Sequence, residues 1–196
     1  MKPLATLRDR ETDTAAFRVA AREAGMSLMR DMQELLARHQ IAPERIVCVI
    51  VLRSGIALLE PMLQVFPEAR AGVVGLKRDE TTFEPHWYYE NLPAISKESV
   101  IVILDPMLAT GGSAETVAKR LLEHGADTKN IYFLGIIAAP EGRARLAQHI
   151  PEENILIAAL DEGLTPQKLI TPGLGDFGDR YFGYHNGGLH GTLAAL

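Results

Sequence analysis

Hydrophobic residues recur at helical spacing early in the chain. Phe17, Ala20, Ala24, Leu28, Met32, Leu35 and Leu36 are separated by arginines and glutamates, which predicts an amphipathic helix over 14–38 after a polar opening. Met26, Met29 and Met32 lie in this stretch as packing residues. From residue 45 onward short apolar runs rich in β-branched residues alternate with helical segments. The expected strands are 46–52, 72–76, 100–104, 131–137 and 155–160, and the expected helices are 56–65, 113–124 and 141–149. The strands are apolar throughout instead of alternating, so both faces are covered. That pattern predicts an α/β fold, a mainly parallel sheet flanked by helices on each side. Right-handed crossovers then gather the loops after the strands along one carboxyl edge, where such folds bind ligands.

Two segments break the alternation. KRDETTFEPHWYYENLP (77–93) is polar and aromatic with Pro85 inside it, and reads as a flap or hairpin leaving the core. The stretch 161–183 grows rich in glycine and lacks a helical period, so its aromatic residues predict a structured loop hood; 184–196 follows as a tail. His185 and His190 in that tail suggest a metal site or, as the plainer reading, a disordered extension. The whole of 1–196 is expected to form one domain.

Composition narrows the function. With 196 residues, 47% hydrophobic and 23% charged, a full core is feasible. The formal net charge of -5 supplies no global positive field for nucleic acid. No apolar run approaches the roughly 20 residues of a membrane span, and the N-terminus MKPLATLRDRETD lacks the features of a signal or transit peptide, so a cytoplasmic address is expected. The single cysteine, Cys48, lies in a strand run and is expected to be buried and inert.

The most informative stretch is VIVILDPMLATGGSAETVAKRLLEHGA. A buried strand leads to Asp105, then a loop, then Thr110, Gly111, Gly112 and Ser113 at the start of an amphipathic helix. One reading is a nest for a phosphate monoester: glycines let the backbone approach an anion, and unpaired N–H groups of the first helical turn point at it. The other is an ordinary turn with Ser113 capping the helix. No Lys follows the second glycine, so Walker A is excluded. Asp105, at the strand end, is placed to accept hydrogen bonds from sugar hydroxyls. A second glycine pattern, GLGDFG (173–178), fails as a dinucleotide fingerprint because Pro172 precedes it and no βαβ unit surrounds it.

DPMLATGGS (105–113) resembles the signature that binds phosphoribosyl pyrophosphate (PRPP) in uracil phosphoribosyltransferases, and the similarity runs in order along the chain. LRDRET (7–12), VLRSG (51–55), KRDETTFEP and YYENLP (within 77–93), AAPEG (138–142), ALDEGL (159–164) and PGLGDFGDRYFG (172–183) all take part. The resemblance implies a type I phosphoribosyltransferase fold with a flap over 77–93 and a base-binding hood over 161–183. It implies transfer of the phosphoribosyl group to uracil, giving UMP and pyrophosphate, with Mg²⁺ carried in on PRPP. It assigns the PRPP site to Arg53, Arg78, Asp105, Pro106, Met107, Leu108, Ala109, Thr110, Gly111, Gly112, Ser113 and Asp176. Of these, Arg53, Arg78, Asp105 and Asp176 would be catalytic, the arginines on the pyrophosphate because a guanidinium makes bidentate bonds to phosphate oxygens. Uracil would be read by Ile170, Gly175, Asp176 and Phe177, mostly through backbone groups that complement its acceptor–donor–acceptor edge; an unpaired polar group left by a wrong base costs about 1–3 kcal/mol.

The chain also departs from the family pattern. Members usually carry a β-hairpin arm between the first long helix and the LR-x-G strand that helps to build a dimer, whereas 36–52 has room only for a helix end, a turn and the strand. Any homo-oligomer is then expected to use another interface. Leu169 stands where a tyrosine is common, and TPQK (165–168) replaces a more polar stretch. These changes open two alternatives: a PRPP-dependent enzyme for another heterocyclic base, or a non-catalytic PRPP- or nucleotide-sensing regulator.

Overall fold

The computed structural model describes residues 2–78 and 85–184, excluding the side chains of Arg78 and Pro85. The flap tip at 79–84 and the tail histidines His185 and His190 lie outside the described residues. The polar opening holds a helix that the hydrophobic pattern does not reveal, α1 (Lys2–Arg8), whose buried residue is Leu7. Helix α2 (Thr14–Arg38) starts where Asp13 accepts a hydrogen bond from the Ala16 N–H at 2.8 Å. It buries Phe17, Ala20, Ala24, Leu28, Met29, Met32 and Leu36, while Met26 is half-buried. A short turn over 39–45 then leads directly into β1 (Ile46–Leu52), and no hairpin arm intervenes.

The remaining elements are α3 (Ile56–Val65), β2 (Arg70–Arg78), β3 (Pro85–Asn91), β4 (Val100–Leu104), β5 (Met107–Leu108), α4 (Gly112–Glu123), β6 (Ile131–Ala138), α5 (Pro140–Leu146), β7 (Ile155–Leu160), β8 (Gly163–Leu164), β9 (Ile170–Thr171) and α6 (Phe177–Phe182). Strands β2, β1, β4, β6 and β7 pair in parallel in that order, and β3 adds antiparallel to β2 as the hairpin expected over 77–93. Strand β5 prolongs the line of β4 against β6 after a break at Asp105 and Pro106, where the Pro106 carbonyl accepts from both Ile136 and Ile137 N–H groups.

Alternate residues of β1 show why the strand is apolar throughout. Ile46, Cys48 and Ile50 face the layer of α2 and α3, whereas Val47, Val49 and Val51 face the layer of α4. Cys48 is fully buried, and burial pushes its thiol up to about 11, as expected of an inert packing thiol. Among the described residues no helix is long and apolar enough to cross a membrane.

The hood is more ordered than its glycine content predicts. A two-stranded antiparallel pair, β8 with β9, and the helix α6 replace the expected loop. Six residues are too few to display a period of 3.6, so the punctuation of α6 is its only sequence signal. Asp176 caps the N-terminus by accepting from the Asp179 N–H at 2.8 Å, and Gly183 ends the helix at φ 81°. Helix α5 stops at Leu146, short of the expected 149, and α4 starts at Gly112.

Candidate active site

The carboxyl ends of β1 and β4 lie side by side and carry the two loops singled out by the sequence. After β4, Asp105 is partly buried and its Oδ1 accepts weakly from the Met107 N–H at 3.4 Å. Pro106 and Leu108 are buried, Met107 is half-buried, and Ala109 and Thr110 are partly open. The chain then turns at Gly111, whose φ of 76° disfavours a side chain.

Helix α4 begins at Gly112 without a side-chain cap. Ser113 sits inside the first turn and is not the cap, so the ordinary-turn reading fails on this point. The first N–H groups of a helix have no intrahelical partner. Thr110 Oγ1 touches the Gly112 N–H at 3.5 Å, and Glu115 N–H is the first to bond within the helix, to Gly111 O at 2.8 Å. The loop thus presents backbone N–H groups of the first helical turn at the carboxyl edge of the sheet, an arrangement that suits an anion.

Helix α5 supports this loop from behind. Ala139 N–H donates to Leu108 O at 2.9 Å. A Cβ on Gly142 would stand 2.7 Å from Leu108 O and closer still to Ala109 O, and a Cβ on Gly111 would stand 2.7 Å from Gly142 O. Glycines at both positions allow two backbones to touch, which gives the AAPEG motif a physical reason. Glu115 of α4 fastens the two helices together through Arg145 of α5 and His149 just beyond it (3.0 Å), and pairs along its own helix with Lys119 (2.7 Å). Burial opposes the charged form of Glu115, but these three partners outweigh it and lower its carboxyl to about 2.

After β1 the Leu52–Arg53 peptide is cis. Gly55 packs so tightly under the end of β4 that a Cβ would overlap Leu104 O and Val51 O, which explains the glycine of VLRSG. Arg53 emerges from this turn and reaches across to the hood. Its Nη2 donates to Asp179 Oδ1 at 3.2 Å, and its guanidinium lies over the rings of Phe182 (5.9 Å) and Tyr184 (5.4 Å). The backbone of Arg78 closes β2 in register with Pro85, at the base of the hairpin. Tyr88 of that hairpin covers Gly75, where a Cβ would lie 2.5 Å from the ring. Burial raises the Tyr88 hydroxyl pKa while the charge of Arg53 pulls it back.

The hood residues divide by side chain. Ile170 and Phe177 are buried, Phe177 between Phe17 (5.2 Å) and Tyr181 (5.8 Å), so only their backbones are left for a ligand. Gly175, at φ 80°, and Asp176 are exposed. Leu169 is 65% exposed. TPQK forms the tip between β8 and β9, where Thr165 N–H bonds Leu169 O at 2.8 Å.

What fixes the hood is the N-terminus, a role the sequence did not disclose. Arg8 pairs with Asp161 and donates to Gly173 O at 2.9 Å, while Gly173 N–H donates to Asp161 Oδ2 at 2.8 Å. Burial opposes the charge of Asp161, yet the Arg8 and Gly173 hydrogen bonds hold its carboxyl below the usual range. Arg180 donates to Leu7 O (2.5 Å), Leu174 O (2.7 Å) and Asp9 O (2.6 Å) and lies over Phe17 at 4.3 Å. Membership of LRDRET, ALDEGL and PGLGDFGDRYFG in one set of motifs was the available signal for these contacts.

A mainly parallel sheet with a glycine-bearing loop and helix after one central strand, an arginine turn after its neighbour and a C-terminal hood defines the phosphoribosyltransferase fold. A solved hypoxanthine phosphoribosyltransferase from Trypanosoma cruzi shares that fold at 11% identity, with a TM-score of 0.56 over 75% of each chain. The chain belongs to the uracil phosphoribosyltransferase family, whose family model matches residues 2–184. The uracil phosphoribosyltransferase of Thermus thermophilus is 40% identical over 194 residues, covering 92% of both chains. A solved Aquifex aeolicus protein superposes with a TM-score of 0.82 at 35% identity over 93% of each chain.

Proposed function

We infer that the chain transfers the 5-phosphoribosyl group of PRPP to uracil, forming UMP and pyrophosphate. The observation that carries this reading is the meeting of three parts on one sheet edge in a chain of this family: the loop 105–113 leading into α4, the Arg53 turn and the hood. The backbone N–H groups of Gly111, Gly112 and Ser113 hold the 5-phosphate, and Asp105 accepts from the ribose hydroxyls. Arg53 and Arg78 take the pyrophosphate. Backbone groups of Ile170, Gly175 and Phe177 read the edge of uracil, which agrees with the burial of two of those side chains.

In the reaction N1 of uracil bonds to C1 of the ribose, the bond from C1 to the pyrophosphate oxygen breaks with its electron pair leaving on pyrophosphate, and the N1 proton passes to solvent. Negative charge grows on the leaving group, so fixed guanidinium groups lower the barrier more than they stabilise bound substrate. Mg²⁺ carried on PRPP would add positive charge on the pyrophosphate side in the same direction, and the carboxylates of Asp105 and the exposed Asp176 would suit such an ion as hard oxygen donors. Closure of the hairpin over the site excludes water from the activated ribose.

Incubation of the purified protein with PRPP, Mg²⁺ and a panel of bases, with products identified by mass, tests the reading. UMP from uracil alone is the expected outcome. A nucleotide from another base transfers the assignment to that base, the outcome that the exposed Leu169 at the hood would explain. Asp105→Asn is expected to lower turnover at least tenfold, the scale of one lost charge-assisted hydrogen bond, with an unchanged melting temperature. Wild-type turnover in that variant would remove Asp105 from the reaction.

A further inference from the structure

We propose that Asp179 is a positioning residue for the pyrophosphate side of the reaction, acting through Arg53. The proposal rests on the reading of Arg53 as a pyrophosphate ligand. An arginine side chain carries about 2 kcal/mol of rotamer entropy, and the Arg53 side chain is 43% exposed at the end of its turn. The hydrogen bond and rings that orient it come from α6 and the residues just after it: the Asp179 carboxylate takes Nη2 at 3.2 Å, and the rings of Phe182 and Tyr184 lie beneath the cation.

Asp179 is itself held firmly enough to act as a fixed point. Its N–H is the group capped by Asp176, its carbonyl accepts from Gly183 and Tyr184 N–H groups at 2.9 Å each, and its side chain is 21% exposed. A Cβ on Gly178 would come within 3.0 Å of Ser54 Oγ, so α6 lies directly against the Arg53 turn.

The bond to Asp179 does not use up the arginine. A guanidinium has five N–H donors, and among the described residues Arg53 commits one of them, at Nη2. Whichever Nη2 hydrogen is engaged, one two-donor edge remains to grip a phosphate bidentately. Asp179 therefore orders Arg53 before PRPP arrives, and the helix capped by Asp176 carries both the base-reading backbone and the anchor of the pyrophosphate arginine.

Steady-state kinetics of Asp179→Asn, Arg53→Ala and the double variant test this. Asp179→Asn is expected to raise the KM for PRPP about tenfold, as befits one charge-assisted hydrogen bond, with the KM for uracil changed less than about twofold. In the Arg53→Ala background the same substitution should add nothing. An unchanged or lowered PRPP KM in Asp179→Asn overturns the proposal, since pyrophosphate would then be competing with Asp179 for the arginine. A rise that persists in the Arg53→Ala background also overturns it, by showing an effect through α6 alone. Arg53→Ala with an unaltered PRPP KM removes the underlying reading of Arg53 and the proposal together.

Discussion

The loop 105–113 and the hood lie at the same edge of the sheet, yet they are built in opposite ways. The loop is made by nearly contiguous residues, with glycines at Gly111 and Gly142 bringing two backbones into contact. The hood is tied to the far end of the chain: Arg8 reaches Asp161 and Gly173, and the hood's own Arg180 reaches the carbonyls of Leu7 and Asp9. On the proposed function, the region that would grip the phosphate is shaped by backbone geometry, which has few ways to vary, and the region that would read the base rests on long-range side-chain contacts, which can be retuned from a distance.

Breaking the hood's anchor should give the largest effect. Arg8→Ala leaves the Asp161 carboxylate, whose side chain is 1% exposed against 26% for Arg8, with only the Gly173 N–H, and loss of a charge-assisted hydrogen bond of this kind costs about 1.5–3 kcal/mol. Thermal or urea unfolding should register that loss. In the protein that remains folded, the KM for uracil should rise more than the KM for PRPP. An equal rise in both would dissolve the division between the two regions.

Gly142→Ala tests the other side. Its Cβ would overlap the carbonyls of Leu108 and Ala109, and overpacking of this kind costs about 1–3 kcal/mol. The expected signature is the reverse, a PRPP KM raised several-fold with the uracil KM little changed. A variant with normal PRPP affinity would show that α5 does not set the loop's shape.

The smallest effect is expected from acid. Glu115, lowered to about 2, and Asp161, also lowered, have folded-state pKa values below those of the unfolded chain. Their contributions are complete above the ordinary carboxyl range, near pH 4, and are lost as pH falls through the folded values. The melting temperature should therefore fall between about pH 4 and pH 2, and Glu115→Gln should flatten the curve over that span. A curve unaffected by the substitution would mean that Glu115 does not clamp α4 to α5.

How much of this was legible in the sequence follows the same division. The spans of β1, β4, β7 and α3 match the hydrophobic runs; β1 and β4 are buried on both faces and so apolar to their ends, whereas β7, at the edge beside β6, is at most half-buried beyond Ile155 although its sequence is equally apolar. Strand β2 extends beyond its apolar run, since the backbone at Arg70 still pairs with Val47. The short helices α1 and α6 escaped because seven and six residues cannot show a helical period. The loop 105–113 could be read because its residues are adjacent. The arrangement of Arg8 with Asp161, or of Arg53 with Asp179, could not, because partners 153 and 126 positions apart leave no trace in local pattern. Family motifs marked those residues without saying what each one touches.

The chain's lone thiol has a practical consequence. Cys48 sits mid-strand with no solvent contact and a strongly disfavoured thiolate, so alkylating reagents can reach it only when the central sheet itself comes apart. Its rate of modification thus reports whole-molecule opening, with no competing reactive sulfhydryl elsewhere, and can be followed in the native protein or in any substituted form.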